Sequence, residues 1–166
     1  MDLTSIISSI TSNNMIGEIS KKFNIDSSKI MAVINAAIPK FLSAMQKNAG
    51  TAAGASALVQ ALSNHSGQSL GINIEDGKKI LGKIFGGSLG SVVSGLSTQT
   101  HTTNDQVSNI LASIAPNLLA VLGKNYASSG NNIGNVLGSI LSSSNASTTS
   151  GAGKVLGGLL GKMFKK

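Results

Sequence analysis

Residues 104–124 read NDQVSNILASIAPNLLAVLGK, and residues 27–47 read SSKIMAVINAAIPKFLSAMQK. A shift of 77 residues lays the second stretch on the first, putting Pro39 on Pro116, Leu42 on Leu119 and Lys47 on Lys124. The same register pairs Ile30 with Val107, Val33 with Ile110 and Ile34 with Leu111, and it superimposes the only 2 prolines of the chain. Working outward, Ser20 falls on Ser97, Ile16 on Val93, Ile19 on Leu96 and Asn48 on Asn125. A shift of 74 adds Ile6, Ile7 and Ile10 on Ile80, Leu81 and Ile84. The pattern is that of a tandem repeat with a three-residue insertion in the second copy, each copy holding about four short helices.

Apolar residues recur at helical spacing throughout, and no stretch alternates as a strand would. The expected fold is therefore all-α, a multihelical bundle of two repeats. Asp26 and Thr103 stand at matching positions before apolar runs and are good N-cap types. Gln106 follows Thr103 at the spacing of a capping box. These caps predict helices over 27–47 and 104–124, each kinked or split at its proline, because proline lacks the donor and crowds the preceding turn. Further helices are predicted over 3–11, 15–23, 52–63, 74–85, 91–100 and 132–142, with Asn73 as the cap of the one beginning at Ile74. The domain reading is a first repeat over 1–65 and a second over 73–142 packed with it as one domain. A glycine-bearing connector lies between them. A tether of SSSNASTTSG composition covers 142–151, and a separate element covers 152–166.

The chain has 166 residues, 41% of them hydrophobic and only 11% charged, with 13 Lys+Arg against 6 Asp+Glu and a formal charge of +7. Soluble domains carry about 25% charged residues, so Ser, Thr, Asn and Gly must cover much of this surface. Cysteine is absent and there are 2 histidines, His65 and His101. That excludes disulfide scaffolds, thiolate metal sites and thiol chemistry, and no metal or cofactor is expected. Residues 1–10 do not read as a signal peptide. Residues 106–123 form the most apolar uncharged stretch but hold Asn109, Pro116 and Asn117, so a buried core helix is expected there rather than a membrane span. The expected location is cytoplasmic.

Every basic residue is lysine, which disfavours a reader of DNA sequence built on bidentate arginine contacts. The segment from Ile19 to Val33 nevertheless resembles a helix-turn-helix with its turn at Asn24. In that reading Ser27, Ser28, Lys29 and Ala32 face a major groove and Lys21 and Lys22 approach phosphates, so Lys21, Lys22, Ser28 and Lys29 are the candidate nucleic-acid contacts. Against it, IMAVINAAI over 30–38 is apolar nearly all round, as in a buried helix. Gly86-Gly87-Ser88-Leu89-Gly90 matches the G-x-S-x-G pattern of nucleophile elbows, but its flanks are helical and no Asp or Glu followed by a histidine lies downstream of Ser88, since His101 precedes Asp105. It reads as an interhelix turn. Residues 71–78 fail as a phosphate loop, since Asp76 occupies the second glycine's place and Lys79 that of Ser or Thr. No constellation supports catalysis.

In residues 152–166, Val155, Leu156, Leu159, Leu160, Met163 and Phe164 fall on one helical face flanked by lysines. Glycines at 153, 157 and 161 lower intrinsic helicity by roughly 1 kcal/mol each while permitting close helix contact. Such a cationic amphipathic helix needs a partner surface, either protein or an anionic membrane. The expected function is non-catalytic self-association or scaffolding through these six residues. A homo-oligomer and protein partners are expected, with nucleic acid and a membrane surface as the alternatives.

Residues 76–87, DGKKILGKIFGG, followed by Ile114-Ala115-Pro116-Asn117-Leu118-Leu119 and Leu122-Gly123-Lys124, resemble a bacterial family of unknown function, the YidB-like family. The resemblance covers about 49–141, and LGGLLGK in the last segment is similar to glycine-leucine segments of such proteins. It implies a multihelical, helix-turn-helix-like bundle with no established activity. No functional residue is carried over.

Overall fold

The computed structural model describes residues 3–11, 14–68, 71–130 and 132–147. Their architecture is all-α, with α1 (Leu3–Thr11), α2 (Met15–Phe23), α3 (Ser27–Ala49), α4 (Ala52–His65), α5 (Ile74–Phe85), α6 (Leu89–Thr100), α7 (Asn104–Ser128) and α8 (Ile133–Ser147), and a 3-10 turn at Gly86–Ser88. Residues 152–166 and the end of the expected tether lie outside the described residues. α8 runs on to Ser147, across the first half of that tether. The stretch 142–147 holds no glycine or proline to stop it, and serine and asparagine cost a helix only tenths of a kcal/mol relative to alanine.

Local chemistry sets the ends. Asp26 accepts from the Ser28 amide at 3.3 Å, Thr51 from Gly54 at 3.1 Å and Asn73 from Asp76 at 3.1 Å. Thr103 and Gln106 form the reciprocal capping box, both bonds at 3.2 Å. α2 and α6 close alike. Asn24 and His101, 77 residues apart, take left-handed backbone at φ 52 and 54. The next amides, of Ile25 and Thr102, return to the carbonyls of Ser20 and Ser97 at 3.2 and 3.1 Å. Gly86 ends α5 with φ 54 and ψ −129, a backbone conformation that glycine alone takes readily, so the G-x-S-x-G stretch joins two helices. Each of α3 and α7 runs as one helix through its proline, without a split.

α7 is the axis of the bundle. It packs against every other α-helix, and all of its residues from Ile110 to Gly123 are buried. One core extends from Ile6 to Ile140, with Phe41 and Phe85 meeting edge to face at 5.0 Å. By length and apolarity, α7 and the span Ile74–Thr100 each suffice to cross a membrane. In the bundle α7 is sheathed by protein, and Ile74–Thr100 is broken at Gly86.

α3 differs from the sequence reading. Ala32 and Asn35 are exposed, while Met31 and Ala36 are half-buried, so the helix is one-sided rather than apolar all round. Alanine counts as apolar in a pattern yet forfeits little when it faces water.

Candidate functional site

α4 and α5 run side by side over α7 and scarcely touch each other. Between them lies a trough of about 260 Å³. Small residues on α4 hold it open, with Gly54, Ala57 and Ala61 recurring near helical spacing, and Leu58, Ile80, Ile84 and Leu119 make its floor. All four floor residues are buried.

Close backbone contacts fix its walls. A Cβ on Gly77 would overlap the Ala112 carbonyl, and one on Gly123 would lie 2.5 Å from the Leu62 carbonyl. Only glycine lets α5 and α4 approach α7 so nearly. Pro116, four residues after Ala112, has no amide to offer that carbonyl. Gly77 thus backs onto the oxygen that the proline leaves without its helical donor.

Polar bridges close both ends. At one end Asn48, in the last turn of α3, donates to the Ile84 carbonyl at 2.9 Å. At the other, His65 Nε2 lies 2.7 Å from Asp76 Oδ2 and its Nδ1 lies 2.7 Å from the Ala61 carbonyl. Both ring nitrogens thus face oxygen atoms of neighbouring groups. The pair joins the last residue of α4 to the first turn of α5, where a carboxylate complements the helix dipole. Behind this latch, Asn117 grips the connector. Its Oδ1 accepts from the Gly71 amide and its Nδ2 donates to the Gly71 carbonyl, both at 2.9 Å.

Lys79 and Lys83, one turn apart on α5, rim the trough opposite Gln60 and Asn64 of α4. Both lysines are exposed, and neither meets a carboxylate within 4 Å among the described residues. The rim is therefore cationic and the floor apolar. A smaller hollow of about 170 Å³ between α7 and α8 carries no charged residue among the described residues. The sequence reading missed the trough, the latch and the Asn117 grip. No local pattern marks a gap between two helices, although Asn117 amid an apolar run was a signal of a buried polar role.

The candidate nucleic-acid residues Lys21, Lys22, Ser28 and Lys29 are all exposed around the corner at Asn24. Lys22 Nζ lies 6.0 Å from the Phe23 ring centroid. The six docking residues from Val155 to Phe164 lie outside the described residues. Asp76 lies in the first turn of α5 and Ser88 beyond its other end, past Gly86, with about 13 Å of helix from Asp76 to Phe85 at 1.5 Å per residue. No group of three or more His, Cys, Asp or Glu that could hold a metal occurs among the described residues.

A family model described as a bacterial protein of unknown function (DUF937) matches residues 5–125. The match starts in α1 and stops in α7, taking in the first half of the bundle that the sequence resemblance over about 49–141 left out. No curated protein and no solved structure matches the chain.

Proposed function

The chain belongs to the bacterial DUF937 family of unknown function, which includes YidB, and on that premise we propose that it is a non-catalytic cytoplasmic assembly protein. In this reading the bundle is a platform, and residues 152–166 dock it to another copy or to a protein partner. One observation carries the reading. The bundle gathers the large apolar side chains of both halves into a single core, and the sequence beyond it adds Val155, Leu156, Leu159, Leu160, Met163 and Phe164 at helical spacing. The test is the absolute mass by light scattering of the full chain and of a chain lacking 151–166, across a concentration series. The truncated chain is expected to fall to a smaller assembly with its helical circular-dichroism signal kept, and an unchanged mass overturns the reading. Sedimentation of the full chain, but not the truncated one, with anionic vesicles would assign the segment to a membrane surface instead.

A second reading, nucleic-acid binding, is favoured by the exposure of Lys21, Lys22, Ser28 and Lys29 together with Ala32 and Asn35. The outward face of α3 is free to meet a groove. Binding of a duplex would then weaken steeply between low and physiological salt and vanish in Lys21→Gln/Lys22→Gln/Lys29→Gln. Salt-insensitive or absent binding removes this reading.

A further inference from the structure

We propose that the trough between α4 and α5 is a binding site for a single-chain aliphatic carboxylate, a site independent of residues 152–166. Shape supplies the first argument. A space of about 260 Å³ cannot admit a helix, whose diameter with side chains is about 10 Å, but it accepts one hydrocarbon chain. The floor of Leu58, Ile80, Ile84 and Leu119 offers that chain an apolar bed, and desolvating such surface is the general driving force of small-molecule capture.

Charge supplies the second. Lys79 and Lys83 place two ammonium groups on one rim, and neither has a carboxylate within ion-pair distance among the described residues. The one acidic group lining the trough among the described residues, Asp76, already meets His65 through Oδ2. An anionic head is therefore attracted and a cationic one repelled. Gln60 and Asn64 offer amide donors from the opposite rim. The two end walls, Asn48 to Ile84 and His65 to Asp76, are hydrogen-bonded closures rather than open mouths. From Asp76 to Ile84 the floor is about 12 Å long at 1.5 Å per residue, which sets a ceiling on chain length.

Titration calorimetry of the full chain with decanoate, decanol, hexanoate and palmitate tests this. Decanoate is expected to bind saturably and at least tenfold tighter than decanol and hexanoate, with palmitate gaining nothing over decanoate. Lys79→Gln/Lys83→Gln should lower decanoate affinity at least tenfold, to the level of decanol, and leave decanol unchanged. Both positions are exposed, and the reversal Lys79→Glu/Lys83→Glu should weaken decanoate further. Ala57→Leu, an exposed helical position whose longer side chain fills the trough, should weaken both ligands tenfold while the helical signal stays constant. The proposal is overturned by the absence of saturable decanoate binding, by equal affinity for decanol, or by binding that ignores Ala57→Leu.

Discussion

α3 and α7 are close in length, carry prolines 77 residues apart and start from side-chain caps, yet α3 shows one face to water whereas α7 shows none between Ile110 and Gly123. Position by position the cause is visible. Asn35, Lys40 and Gln46 of α3 are exposed, and 77 residues on they become Ala112, Asn117 and Gly123. Each of these three is a contact point on the second face of α7: Ala112 against Gly77 of α5, Asn117 against Gly71 of the connector, and Gly123 against the end of α4. At these positions the central helix carries a small residue where a backbone must approach and an amide where a backbone must be satisfied. The trough is a by-product of the same arrangement, since α4 and α5 spend their inner faces on α7 rather than on each other.

The sharpest way to break this comparison is to put the same charge at matched positions. Ala112→Lys buries an ammonium group with no partner and should cost about 5 kcal/mol or more, enough to unfold the chain. Asn35→Lys should stay within about 0.5 kcal/mol. Urea midpoints for the two variants decide the matter, and equal shifts would mean that α7 is not the central helix. Next in size, Gly77→Ala forces α5 off the Ala112 carbonyl and should cost about 3 kcal/mol. Gly82→Ala on the same helix, where a Cβ meets nothing within 4 Å, should stabilise by about 0.5 kcal/mol through loss of unfolded-state freedom. Asn117→Leu comes third, at about 2 kcal/mol, because it strands the amide and carbonyl of Gly71. A melt showing Asn117→Leu neutral would mean that water replaces the grip.

The helices were legible because their signals are local. Asp26, Asn73 and Thr103 were readable as caps, and the 77-residue register placed both proline-bearing helices. The charge-free run from 106 to 123 foretold the buried axis. What escaped was tertiary. His65 and Asp76 are 11 residues apart on different helices, and only the crossing of α4 and α5 over α7 aims them at each other. The meeting of Gly77 with Ala112 depends on which turn of α5 lands on which turn of α7. The outward face of α3 was misread because alanines at 32 and 36 were counted with isoleucine and valine, although a methyl group gains too little from burial to choose a face.

The two N-caps give the smallest effect and the finest probe. Thr103 is held in a reciprocal box, with Gln106 Oε1 receiving the Thr103 amide and Thr103 Oγ1 receiving the Gln106 amide. Asp26 makes one longer bond, to Ser28. Thr103→Ala removes one of two coupled bonds and leaves exposed Asn104 and Asp105 to fray, so it should cost about 1 kcal/mol. Asp26→Ala should cost about 0.5 kcal/mol, since it forfeits a weaker bond and the attraction of a carboxylate to the helix N-terminus. Asp26→Asn keeps the acceptor, so it should recover the part that belongs to the bond and not the part that belongs to charge. Urea midpoints that place Thr103→Ala below Asp26→Ala support the stronger start of α7 in its reciprocal box, and equal losses would mean that the box adds nothing over a single side-chain acceptor.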